Sequence, residues 1–377
     1  MSTARTRFSD IAPWETLQHA YGPAGDVPPL LEQIAASRGR ELNGLFGELC
    51  SRVLHQGTIY SASAPAVLAL IQMILDVAAS DRIMYYGLLA AFADSARMAI
   101  EDGPAPPCHA GGHPDDGAAI RRELDEARGL FESMLADPDA QVRAEIVRLL
   151  TAFRDADPAS AMGVRQRYFA EEDLDVRCDM LVGLTRVRAA FNDWPAFLGM
   201  ALDGESEPEN RFLIRYAQVV EWRMDAESTA VDDLVACFVC PNRTGAYPFT
   251  RDQRFFEAVR VLGTDRELAA LRKAVALGDG EKVLRVVAEH LLRLVFEDRR
   301  TGWGKTASSG HKGVRNIEYW GLKGAAPTIP LKLNESQRVV LGEFAEKPGL
   351  WQFRTNLWAL FGLPDDGAGL ERFVREH

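Results

Sequence analysis

Apolar residues recur at helical spacing through most of the 377-residue chain, and the stretch "LADPDAQVRAEIVRLLTAF", residues 135–153, shows the pattern most fully. Val142, Ile146, Leu149, Leu150 and Phe153 fall at steps of four, three, one and three, an apolar stripe along one side of a helix. Arg143, Glu145 and Arg148 lie elsewhere on its circumference and read as the polar side. Asp137 or Asp139 can accept from the free N–H groups at the helix start. Pro138 suits the entry turn, where a missing N–H costs nothing. Asp155 and Pro158 end this helix and open a second, "ASAMGVRQRYFAEE".

A shift of 34 residues finds the same pattern in "EEDLDVRCDMLVGLTRV", with Val176-Arg177 in place of Val142-Arg143 and Met180-Leu181 in place of Ile146-Val147. A further 34 gives "EPENRFLIRYAQVVEW", with Arg211 in register and Ile214 matching Met180. Second helices, "NDWPAFLGMAL" and "ESTAVDDLVACFV", follow each. One helix pair cannot bury its own apolar face, so three units at one period predict a stack that shares its core. A non-repeating helical bundle with coincident spacings is the alternative.

The Asp-Pro-Asp-x-x-Val-Arg entry before an apolar helix, "DPDAQVR" and more loosely "EDLDVR", resembles HEAT repeats over roughly residues 118–295. The segments "WETLQHAYGPAGDVPPLLEQI", "HQGTIYSASAPAVLALIQMI" and "LNESQRVVLGEFAEKPGLW", with "NLWALFGLPDD" after them, look like a bacterial group of HEAT-repeat proteins. The resemblance implies an all-α fold, a right-handed α-solenoid of stacked helix pairs with loop insertions and a short helical C-terminal cap. It also implies a protein-binding scaffold that docks its partner on a concave face or on inserted loops.

Further helices are predicted at about 28–37, 41–54, 64–79 and 81–101, forming N-terminal pairs of the solenoid within residues 1–102. "GPAPPCHAGGHPDDGA", residues 103–118, holds four prolines and four glycines and no apolar period, so a flexible linker is expected over 103–117. The HEAT-like repeats occupy 118–298, with looser helices at about 252–262, 265–277 and 280–297. Residues 299–377 are expected to hold a basic loop and capping helices, closed by Trp351, Phe353, Trp358 and Phe361.

The formal charge of −11 narrows the partners. It opposes broad attraction to phosphate backbones or anionic lipid and favours a cationic protein partner, with nucleic acid not expected. A hydrophobic content of 47% fits a folded globular chain. Five cysteines form no disulfide framework, which points to a reducing compartment. No signal peptide is read at the N-terminus. The uncharged run from Gln56 to Leu75 has only about 12 convincingly apolar residues, short of the roughly 30 Å of a membrane core. A cytoplasmic location without membrane contact is therefore expected.

Candidate chemistry is sparse. "GWGKTASSG" lacks the first glycine of a phosphate loop, with Arg299 in its place, and reads as a solvated basic loop beside Arg300, Lys305, Lys312, Arg315 and Lys323. Cys108, His109, His113, Asp115 and Asp116 could meet a metal, but a flexible segment is a poor framework for one, and no metal or cofactor is expected. Cys237 and Cys240 have dithiol spacing but lie near a helix C-terminus, where the dipole opposes thiolate, so core thiols are expected. No nucleophile elbow or zinc-helix motif occurs, His290 reads as a packed or interfacial side chain, and no catalytic residue is assigned.

Two groups could bind a partner. Trp14, His19 and Tyr21 surround one turn, and His55, Gln56, Thr58 and Tyr60 form a helix–helix link richer in polar groups than a link requires. The second helices of the repeats offer Arg165, Arg167, Tyr168, Trp194, Phe197, Asp232 and Asp233, with Tyr, Trp and Arg being frequent energetic anchors of interfaces. The expected function is a non-enzymatic scaffold, in its sharpest form an immunity protein neutralising a basic, nuclease-like toxin. The alternative is a HEAT-like nucleic-acid enzyme such as an alkylpurine DNA glycosylase, for which Asp193, Trp194 and Trp222 are the residues to hand.

Overall fold

The structure is a computed structural model that describes residues 7–74, 77–78, 81–101, 113–240, 248–278, 281–295, 333–351, 358 and 363–377. It is all-α apart from one short antiparallel bridge. The expected loop at 298–316, its basic neighbourhood to Lys323, Cys108, His109, Phe353 and Phe361 lie outside the described residues. Two compact units divide the chain, Met1–Trp194 and Pro195–His377.

The first unit opens with strands β1 (Gln18–His19) and β2 (Gly22–Pro23), then helices α1 (Val27–Ala36), α2 (Gly39–Val53), α3 (Ser63–Ile74) and α4 (Arg82–Glu101). Next come α5 (Pro114–Glu126), α6 (Arg128–Ser133), α7 (Ala140–Leu150), α8 (Pro158–Tyr168) and α9 (Leu174–Arg186). Helix α5 begins inside the stretch expected to be loop. Pro114 sits in its first turn, where no N–H is needed, and the His113 side chain accepts from the Asp115 N–H. Pro and Asp, read as loop formers, are here helix starters.

Helix α4 packs on α5 and α7, and α7 packs on α9. The α7–α9 approach is close, since a Cβ on Gly183 would stand 2.2 Å from Thr151 Oγ1. Ile146 and Met180 are both fully buried in this unit, as the shared stripe predicts.

The 34-residue period reappears as hydrogen bonds. Asp137 Oδ1 accepts from Asp139 N at 3.0 Å, Glu171 Oε1 from Asp173 N at 3.0 Å, and Glu205 Oε1 from Glu207 N at 2.9 Å. Arg143 Nη1 donates to Asp137 O at 2.8 Å, and Arg211, two periods on, donates to Glu205 O at 2.9 Å. Each bond ties a helix to the turn that enters it. Asp139, Asp157 and Asp173 cap α7, α8 and α9 by accepting backbone N–H groups.

Arg143 corrects the helical reading. It is buried, and its guanidinium grips both oxygens of Glu171 at 2.8 and 2.7 Å. The neighbouring turn folds over the side of α7 that looks polar in isolation.

The second unit takes in most of α10 (Trp194–Leu202), then α11 (Pro208–Trp222), α12 (Ser228–Val239), α13 (Pro248–Arg260), α14 (Thr264–Leu277) and α15 (Glu281–Val295). It ends with α16 (Glu335–Ala345) and α17 (Gly367–Glu376). Its core is aromatic. Phe238 stacks on Phe255 with centroids 3.9 Å apart, Phe256 meets Phe255 at 5.5 Å, and His290 stacks on Phe256 at 4.3 Å while bonding Glu267 at 3.2 Å. Trp351 and Trp358 stack at 4.5 Å, and Trp358 meets Phe344 edge to face at 5.7 Å. Ile214 is buried in this unit.

Candidate functional site

The N-terminal cluster is built on a turn. Strands β1 and β2 pair His19 with Gly22, whose φ of 133° is open only to glycine at no cost. Three hydrogen bonds pin this turn to the end of α2 and the α2–α3 connection: Ala20 N to Arg52 O at 2.9 Å, Gln18 N to the Ser61 hydroxyl at 2.8 Å, and Ala62 N to Gln18 O at 3.1 Å. The connection is itself held by Ser63, whose hydroxyl donates to Val53 O at 2.6 Å and accepts from Tyr60 N at 2.8 Å.

His19 is buried, and its tautomer follows from its neighbours. Nδ1 accepts the Tyr21 N–H at 3.0 Å, so Nε2 carries the proton and donates to Asp26 Oδ1 at 2.9 Å. The other Asp26 oxygen pairs with Arg52 at 2.9 Å, and Arg52 also pairs with Glu48. His55 Nδ1 faces Ser51 O at 3.2 Å, which can only accept, so that nitrogen is protonated as well. Its N–H is shared with the Tyr21 hydroxyl at 3.3 Å.

Tyr21 is thus bracketed by two imidazoles, edge to face at centroid distances of 6.0 and 5.6 Å, and yet is 67% exposed. Beside it, Gln56 sits at φ 52°, ψ 31°, in the left-handed region that a glutamine adopts only under constraint. Tyr60 is half-buried. Burial pushes its phenol above the usual tyrosine range, the Thr58 side chain works against this, and the nearby Tyr21 adds to it. Trp14 does not join the exposed cluster. It is 4% exposed, with its indole N–H on Phe8 O at 2.8 Å, and serves as a plug beneath.

The second-helix candidates are placed differently, and the expectation that Tyr168, Trp194 and Arg165 face a partner is corrected. Tyr168 is 3% and Trp194 2% exposed, the latter stacked on Phe191 at 5.9 Å. Arg165 is buried, bidentate to Asp193 at 2.5 and 2.6 Å, with its guanidinium 5.3 Å above Phe191. Phe197 is fully buried. Hydrogen bonds from Arg165 hold Asp193 below the usual carboxylate range.

In the second unit Asp232 is exposed and paired with Lys273 at 2.6 Å. Asp233 is half-buried under Arg211 and Arg215 at 2.6 and 2.8 Å. Burial alone would raise its pKa, and the two guanidiniums lower it instead. Cys237 stands against Asp233, and burial followed by that charge pushes its thiol up to about 11, the opposite of a reactive thiolate.

Exposed apolar side chains missed by the sequence reading include Met162 and Phe169, seven residues apart on and just past α8, Met200, Leu277, Val339, and Met224, which follows the strained Arg223 at φ 51°. A cavity of about 20 Å³ between Arg121, Arg128, Phe131 and Phe153 has room for a single water. Among the described residues no cluster of metal-ligating side chains occurs, and no helix is long and apolar enough to cross a membrane.

No family model matches the chain, and no curated protein matches it. Among solved structures it is similar to an engineered protein at 13% identity, covering 92% of this chain and 93% of that one, with a TM-score of 0.29.

Proposed function

We propose that this protein is a non-enzymatic helical-repeat scaffold of the HEAT-like solenoid type, which binds a basic protein partner through the Tyr21–His55–Gln56–Tyr60 corner. The observation that supports this most is Tyr21, a large side chain left open to solvent yet fixed by neighbours on both sides. An interface gains most from an anchor whose rotamer freedom is already lost before contact. Charge supports the class of partner. Residues 1–194 carry 28 acidic and 18 basic side chains, every basic one an arginine, a formal −10. The recurring turn-to-helix bonds at 137, 171 and 205 support the repeat reading. A basic toxin held inactive is the most specific partner that fits.

The test is reconstitution. Products of genes neighbouring this one are purified and titrated calorimetrically against the wild type and the Tyr21→Ala, His55→Ala double variant. A stoichiometric complex that weakens with salt and loses about 2 kcal/mol in the double variant is expected. A partner that binds both forms equally would remove the corner from the reading. Absence of any protein partner among neighbours and host proteins would remove the scaffold itself.

A further inference from the structure

The corner has a chemistry more specific than an aromatic knob, and this step rests on the scaffold reading above. Three rings converge on it. Tyr21 meets His55 and His19 edge to face at centroid distances of 5.6 and 6.0 Å. An aromatic face attracts a cation through its quadrupole, most strongly when the cation is partly desolvated.

The charges around the rings have the matching sign. His19 is turned inward, its Nδ1 accepting the Tyr21 N–H and its Nε2 on Asp26. Arg52 is the cation bonded into this corner, and it is held between Asp26 and Glu48, two carboxylates to one guanidinium. Both carboxylates are about half exposed, so the corner presents a net negative field to solvent. The unit that carries it is strongly acidic as a whole.

The other candidates in the molecule lack this convergence. Met162 and Phe169 are exposed apolar side chains that share no ring contact of the Tyr21–His55 kind. The cleft below Arg121 and Arg128 admits one water, and both guanidiniums are matched by Asp125, Asp155 and Asp157.

We infer that Tyr21 and His55 form a receptor for an arginine side chain of the partner, its guanidinium lying on the open face of Tyr21 with the Asp26–Glu48 carboxylates as the balancing charge. Arginine fits better than lysine, because its planar, weakly hydrated head stacks on a ring while a lysine ammonium gives up more hydration to do so. Gln56 then has a reason for its strained backbone. The left-handed turn sets His55 against Tyr21 and keeps the link clear of the ring's face.

The test uses a fluorescein-labelled peptide with three arginines alternating with glycine, its lysine counterpart, and a citrulline counterpart of the same shape without charge. Anisotropy titrations compare wild type with Tyr21→Ala, Tyr21→Phe and Glu172→Gln, the last removing an exposed charge elsewhere in the same unit. Circular dichroism confirms that each variant is folded. The arginine peptide is expected to bind about three- to tenfold more tightly than the citrulline peptide, and to lose about the same factor in Tyr21→Ala. Tyr21→Phe and Glu172→Gln should stay within about twofold, and lysine should fall between arginine and citrulline. Equal binding of arginine and citrulline peptides, or undiminished arginine binding by Tyr21→Ala, would overturn the inference. If a purified partner still needed Tyr21 in either case, the scaffold reading would stand without it. If the arginine peptide needed Tyr21 and no protein partner existed, the receptor would stand and the scaffold reading would fall.

Discussion

The two units solve the same problem, joining helix to helix, with different materials. In the first, charged groups are carried inside. Glu171 is sealed from solvent and clamped by Arg143, and Arg165 grips Asp193 across the next turn. In the second, a run of rings from Phe212 through Phe238, Phe255 and Phe256 to His290 fills the centre. The formal charges differ as well, −10 for residues 1–194 against −1 for residues 195–377, whose 25 basic residues nearly match 26 acidic ones. A buried ion pair fixes register through direction and charge, but breaking it is costly because one charge is left stranded. Stacked rings gain from area and tolerate shifts in pH and salt.

That contrast can be broken in each unit separately, with hydrogen exchange read peptide by peptide. The largest effects are a matched pair. Glu171→Ala should cost about 3–5 kcal/mol of protection over α7 to α9, because Arg143 keeps its charge in a buried site. Replacing Arg143 and Glu171 together by Met and Leu should recover most of that loss, and no recovery would mean that packing, not charge, sets this joint. Phe238→Ala should cost about 3–5 kcal/mol over α11 to α13 through the cavity it leaves, with no dependence on salt.

Acid should separate the units next. Glu171 would be raised by burial, but the hydrogen bonds from Arg143 and the Asp173 N–H and the charge of Arg143 bring it below its ordinary value of 4.5. A carboxylate with a lowered folded pKa stabilises the fold fully above its unfolded value, and the contribution disappears as pH falls through the folded one. Protection of α7 to α9 should therefore decline as pH drops below about 4.5, while the Phe238–Phe255 region declines less. Asp233, which burial would raise but the hydrogen bonds and charges of Arg215 and Arg211 lower, gives the second unit an acid response of the same sign. An acid response of α7 to α9 that survives in Glu171→Gln would assign it to another group.

The smallest effect concerns the corner itself. Gln56→Gly relieves a left-handed backbone and should leave the melting temperature unchanged or raise it by the equivalent of at most about 1 kcal/mol. A clear loss of stability would mean that the Gln56 side chain, not its backbone, holds the turn.

Legibility from sequence followed range. Most helices, the 34-residue beat and a cap at Asp137 or Asp139, which the structure gives to Asp139, were readable because capping and amphipathic spacing act within a few residues, while the caps at Asp157 and Asp173 went unread. The corner's residues were readable as candidates, since Trp14, His19 and Tyr21 surround one turn and His55, Gln56, Thr58 and Tyr60 exceed what a helix–helix link needs. Its arrangement was not, because the turn at 19–22 reaches the 55–60 link only through bonds that depend on α2 and α3 being in place. The second-helix candidates were misplaced for a related reason. Tyr168, Trp194 and Arg165 have the chemistry of an interface, and only the packed neighbours show that they are used inside.

The chain by itself determined that it is helical, which stripe of most helices is apolar, and the sign of the first unit's charge, since these follow from backbone sterics and composition, although it hid the start of α5. Only the tertiary structure decided that Arg143 is buried, that Trp14 is a plug and that Tyr21 stays open. Burial is a property of what the rest of the fold lays against a residue, and no local pattern carries that information.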